Sequence, residues 1–182
     1  MRDSILAVSG QLNREMFGPS IKPAIPAEAI FQTALKHGEV WPAQVPEDIE
    51  TWRRSLYIYA KRSNPVPFLQ LFDAPDAAVS CGCRAQSTTP TQALVLLNDN
   101  FIRHQAQLAA RAALEAKPGN TADAIRLLFR QILGRDATTV ELERVHAFCK
   151  AGETSTPTVT TEQALTDVCQ TLFMTNEFLY VE

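Results

Sequence analysis

Thr89-Pro90-Thr91-Gln92 places a hydroxyl at a helix N-cap, proline at the first helical position and glutamine three residues after the cap. The hydroxyl can accept from the Gln92 backbone N–H while the Gln92 side chain reaches back to the cap N–H, and proline lacks only a donor that the first turn leaves unpaired anyway. Thr138-Thr139-Val140-Glu141 and Thr160-Thr161-Glu162-Gln163 repeat the box, and Asn120 with Asp123 is a looser version. These starts predict helices over about 90–97, 99–116, 121–133, 139–150 and 161–175. The apolar spacing agrees: Ile125, Leu128, Phe129 and Ile132 share one face, as do Leu165, Val168, Cys169, Leu172 and Phe173. Gly134 sits where a C-cap glycine belongs, so residues 89–182 read as an antiparallel helical bundle with short connections.

Upstream the pattern changes. Eight of the 11 prolines fall within the first 75 residues, so residues 1–88 read as an irregular, proline-rich arm with short helices and one strand. Ile5, Val8, Leu12 and Met16 at steps of three and four predict a first helix over 3–16, ended by Gly18-Pro19. A helical turn or two is expected around Ala27 to Lys36, and a short helical segment over Phe68 to Phe72. Arg54-Ser55-Leu56-Tyr57-Ile58-Tyr59-Ala60 is the strand candidate by composition. Its backbone groups need partners, and only Val40-Trp41 or Val79 offer weak ones. Three readings stay open: a short helix, a poor two-stranded ribbon, or a partner strand outside this polypeptide. The fold class is therefore mainly α, one domain of 182 residues with at most one short β-ribbon.

Composition bounds the function. Hydrophobic residues at 46% and charged residues at 20% are those of a globular chain able to bury a core. The 17 Lys+Arg against 20 Asp+Glu give a net charge of -3, which argues against a nucleic-acid partner bound through phosphate neutralisation. The acidity lies in residues 118–182, and the basic pairs Arg53-Arg54 and Lys61-Arg62 fall short of a basic stripe. No stretch approaches the roughly 20 apolar residues of a membrane span, and the first ten residues do not read as a signal peptide.

The densest polar segment runs from Asp73-Ala74-Pro75-Asp76 through Ser80-Cys81-Gly82-Cys83-Arg84 to Ser87-Thr88-Thr89. Asp73 and Asp76 are the candidate catalytic carboxylates, as general acid and base. The structural alternative pairs Arg54 or Arg84 with Asp73 or Asp76 to pin an irregular loop. Cys81 and Cys83 are the candidate metal or redox thiols; with no histidine at ligand spacing, one or both read instead as plain buried residues. His146 with Cys149 and Cys169 reads as core edge. Trp41, Trp52, Tyr57 and Tyr59 read as core rather than a sugar platform. No nucleophile elbow, phosphate loop, zinc-protease motif or haem-attachment motif occurs, so enzyme status has no motif behind it and no cofactor is expected.

Together, Arg2-Asp3, Gly18-Pro19-Ser20, Arg53-Arg54-Ser55-Leu56-Tyr57, Phe72-Asp73-Ala74-Pro75-Asp76, Ser80-Cys81, Arg84, Ser87 through Leu94, Leu97-Asn98-Asp99, Leu133-Gly134-Arg135 with Glu141, and Asn176-Glu177-Phe178 resemble the C-terminal domain of unknown function of planctomycete-type secreted multidomain proteins. The resemblance implies an extracytoplasmic, non-haem module. Upstream domains, among them a cytochrome-c-like one, would be its partners, and polysaccharide handling its context. Arg54, Asp73, Asp76, Arg84 and Asn98 would form an ion-paired structural hub. The alternatives are a hydrolase-like domain using the loop carboxylates on a polysaccharide, and a docking module for the fused cytochrome.

Overall fold

The computed structural model describes residues 1–25, 45, 48–62, 65–76, 79–83, 87–153 and 159–180. Its α-helices are α1 (Arg2–Val8), α2 (Pro67–Leu71), α3 (Pro90–Asn98), α4 (Asn100–Ala116), α5 (Thr121–Leu133), α6 (Thr139–Glu153), α7 (Thr161–Phe173) and α8 (Asn176–Leu179). No strand occurs among the described residues, so the mainly helical expectation holds. Among the described residues no helix is long and apolar enough to cross a membrane. The chain divides into two compact units, one of Met1–Asp3 with Gln11–Gln92, the other of Ser4–Gly10 with Ala93–Glu182.

The second unit holds the bundle, apart from the first turn of α3. Each start read from the sequence is capped as its chemistry requires. Thr89 N donates to Gln92 Oε1 at 3.1 Å, Thr138 N to Glu141 Oε2 at 2.7 Å and Thr160 N to Gln163 Oε1 at 3.0 Å, while Asp123 N donates to Asn120 Oδ1 at 3.1 Å. Asp99 Oδ1 accepts from Phe101 N at 2.7 Å, so α3 and α4 are separated by a single capping residue. Gly134 ends α5 at φ 71°, a left-handed conformation that favours glycine.

Helix α7 is the axis of this packing, lying against α4, α5, α6 and α8. Its buried face is Ala164, Leu165, Cys169, Leu172 and Phe173. The facing stripe of α4, Ala106, Ala109, Ala110 and Ala113, is small-sided and buried, which lets the two helix backbones approach closely. Gln170, also buried, turns inward and donates through Nε2 to the carbonyls of Leu96 and Leu97 at 3.0 and 2.7 Å. Those are terminal carbonyls of α3 with no partner inside their own helix, so a residue 74 and 73 positions downstream caps them.

The described residues ahead of position 89 are largely irregular, and expectations change there for α1 and for residues 54–60. Helix α1 stops at Val8 rather than running to residue 16, because Gly10 takes a left-handed φ of 75° and its N–H closes on Ala7 O. Met16 consequently lies exposed. The strand expected over 54–60 is a 3-10 turn at Ser55–Tyr57. Its neighbours are met inside the chain by single parallel bridges, Asn13 to Arg53 and Ile21 to Ile58, with Ile21 N donating to Tyr57 O and Tyr59 N to Ile21 O, both at 2.8 Å. The expected turns around 27–36 and the Val40-Trp41 partner lie outside the described residues. Ile25 and Val66 form a small buried core here, flanked by Ile58, Phe68 and Leu69.

Candidate functional site

Three polar clasps emerge, each described within one unit. The first centres on Arg53, 3% exposed, with its neighbour Arg54 left at the surface. The Arg53 guanidinium donates to the carbonyls of Phe17, Pro19 (2.8 Å) and Glu15 (3.4 Å) and stacks on the Tyr57 ring, 4.0 Å from its centroid. Tyr57 Oη accepts from Phe17 N at 2.8 Å. Phe17, 77% exposed, is thus held from both sides in a left-handed conformation, φ 69°. A bulky residue holds such a backbone only where its surroundings over-determine it, and here a charged fork and a phenol do so.

Arg2 and Asp3 complete this clasp from the other side. Arg2, buried, donates to Arg53 O and Thr51 O, both at 2.9 Å. Asp3 accepts from Ser55 N at 2.9 Å and from Ser55 Oγ at 2.5 Å, capping the 3-10 turn across 52 residues. Burial lowers the pKa of the Arg2 guanidinium, and the adjacent Asp3 carboxylate opposes that shift.

The second clasp closes a loop. Asp73, at φ 56° beyond α2, accepts from Ser87 N at 2.7 Å and from Ser87 Oγ at 2.9 Å. Gln92, buried at the start of α3, donates from Nε2 to Leu71 O at 2.8 Å and to Ser87 Oγ at 3.3 Å. The ends of the 73–87 segment are thereby fastened together.

The third clasp is in the bundle. Arg135 binds Glu141 through two contacts of 2.8 and 2.9 Å, and Glu177 through two of 2.6 and 3.0 Å. Bidentate geometry is the strong form of the arginine–carboxylate contact. The Arg135 bonds, reinforced by Thr138 N–H, hold the Glu141 carboxyl down to about 2, and Arg135 likewise lowers Glu177. The sign of the pH dependence follows. A carboxyl whose folded pKa is depressed contributes stability above its unfolded value near 4.3, and that contribution is lost as pH falls through the folded value. Between about pH 4.5 and 2, the melting temperature should fall less steeply in Glu141→Gln than in the parent chain. Thermal melts across that window check this, and identical acid slopes would refute it.

The residues singled out from the sequence fall in several places. Asp73 is in the loop clasp. Asp76 is exposed nearby, its carbonyl accepting from Val79 N. Arg54 is exposed and acts through its backbone, its carbonyl accepting from Tyr57 N at 2.9 Å. Asn98 belongs to the bundle unit and donates to Leu94 O at 2.9 Å, one turn back in α3. Arg84 lies outside the described residues. The buried-thiol expectation is corrected for Cys81 and Cys83, both exposed; the buried cysteines are Cys149 and Cys169. Burial pushes the Cys169 thiol up to about 12. His146 is exposed, and no group of three metal-type ligands gathers among the described residues. Arg2, Asp3, Arg53 and Ser55, which do come together, were visible in the sequence as resemblance residues without an assigned contact.

The fold and these clasps define a helical-bundle protein whose irregular N-terminal part is fastened by arginine and carboxylate contacts. Residues 1–149 match the family described as Protein of unknown function (DUF1553), and the chain belongs to that family. No curated protein and no solved structure matches it.

Proposed function

We infer that the chain is a non-haem C-terminal module of a longer, exported multidomain protein, and that its task is to pack against a domain encoded ahead of it. One observation carries this reading. The resemblance residues Arg2, Asp3, Arg53, Ser55, Asp73, Arg135 and Glu177 are engaged with backbone groups or with one another. Groups used that way fix shape, whereas a catalyst keeps its characteristic groups available to substrate. The side chains left at the surface include large apolar ones: Phe17 and Leu56 in one unit, Leu94 and Leu97 on α3 in the other. Those suit a protein neighbour. Export, the cytochrome-c-like neighbour and polysaccharide handling come from the family resemblance and belong to the same proposal.

The test is to produce the chain with and without the segment encoded ahead of it. The longer form should melt about 4 °C or more above the isolated chain, a shift equivalent to about 1–2 kcal/mol. Leu94→Asp with Leu97→Asp should remove that gain while changing the isolated chain by less than about 0.5 kcal/mol. Equal melting of the two forms would overturn the reading.

A further inference from the structure

We propose that Cys81-Gly82-Cys83 is a thiol–disulfide exchange site that closes reversibly into an intrachain disulfide. Both cysteines are exposed, in contrast to Cys149 and Cys169. The chain bends at Gly82 and Cys83, and Cys81 Sγ lies 3.1 Å from the carbonyl oxygen of Cys83, so the first sulfur is already folded towards the second residue. Residues two apart are separated by at most about 7 Å between Cα atoms, and a bend shortens this into the roughly 4.4–6.8 Å window that a disulfide requires. Gly82, between them, is uncrowded: a Cβ placed there would meet nothing within 4 Å. The Asp73–Ser87 clasp holds the base of the loop independently of the cysteines, so closure leaves those bonds in place.

The reactant is a low-molecular-weight disulfide such as oxidised glutathione. The Cys81 thiolate attacks one of its sulfurs, expelling a glutathione thiolate and leaving a mixed disulfide. The Cys83 thiolate then attacks the Cys81 sulfur, forming the Cys81–Cys83 bond and expelling the second glutathione. The protein loses two electrons and two protons, and the oxidant becomes two thiols. A three-residue ring is tight and its sulfurs are accessible, the combination that makes a disulfide easily reduced again, so the site cycles rather than locks.

Trypsin releases both cysteines on one peptide, Ser63–Arg84. The full chain is equilibrated across a series of oxidised-to-reduced glutathione ratios, alkylated, digested and weighed. At oxidising ratios this peptide should be unalkylated and about 2 Da lighter than its reduced form, and dithiothreitol should restore two alkylatable thiols. Cys83→Ser should accumulate the glutathione adduct on Cys81 and never show the lighter peptide. Its melting should match the parent's, since Cys83 is exposed. Thiols that remain alkylatable at every ratio, glutathione adducts on both cysteines of the parent chain, or disulfides between chains would each overturn the proposal.

Discussion

Arg53→Ala is expected to destabilise the N-terminal unit by about 2–3 kcal/mol, because hydrogen bonds from a charged donor contribute about 1.5–3 kcal/mol and the guanidinium that makes them is itself buried. The guanidinium joins three carbonyls at Glu15, Phe17 and Pro19 that have no secondary structure to satisfy them. It also supports Tyr57, whose hydroxyl holds Phe17 in its left-handed conformation. Arg53→Lys should recover only part of the loss, since an ammonium lacks the planar fork that reaches several carbonyls at once. Tyr57→Phe removes one acceptor from an exposed N–H and should cost no more than about 1 kcal/mol. Trp52, adjacent in the chain and half-buried, provides a fluorescence probe for urea unfolding. If Arg53→Ala and the parent chain share a midpoint, the clasp is not what holds the 13–21 segment to residues 52–59.

That clasp also shows where the sequence stops being readable. Caps were legible because donor and acceptor lie three residues apart: Thr89, Asn120, Thr138 and Thr160 each meet the partner their spacing implied. The bundle follows from those starts and the apolar periodicity. Residues 54–60 have strand composition, yet they turn because Asp3 caps Ser55 from 52 residues away. Nothing local distinguishes Arg53 from Arg54, and one is buried and bridging while the other is solvated. Gly10 and Gly18 both take positive φ, but only the first ends a helix. The loop expected to gather Asp73 and Asp76 with arginines is fastened by Ser87 among the described residues. A hydroxyl and a backbone N–H next to a capping box gave no sequence sign of a second role.

Two phenylalanines of the bundle should respond very differently to truncation, although the sequence pattern gives both the standing of apolar helix residues. Phe173 is 0% exposed at the end of α7, its ring 5.1 Å from that of Phe178 in a tilted arrangement, at the point where the chain turns into α8. Phe173→Ala removes transfer free energy and leaves a cavity that the neighbouring helices cannot collapse without moving α7. The expected cost is about 3–5 kcal/mol. Phe148, 48% exposed on α6, leaves no comparable void, and Phe148→Ala should stay within about 1 kcal/mol. Phe173→Leu should fall between them, keeping most of the apolar volume while losing the ring contact with Phe178. Urea unfolding followed by far-ultraviolet circular dichroism, which reports chiefly on the helical bundle, measures all three. The decisive quantity is the difference between the two alanine variants: similar midpoints would mean that α7 is not the axis on which this unit is packed.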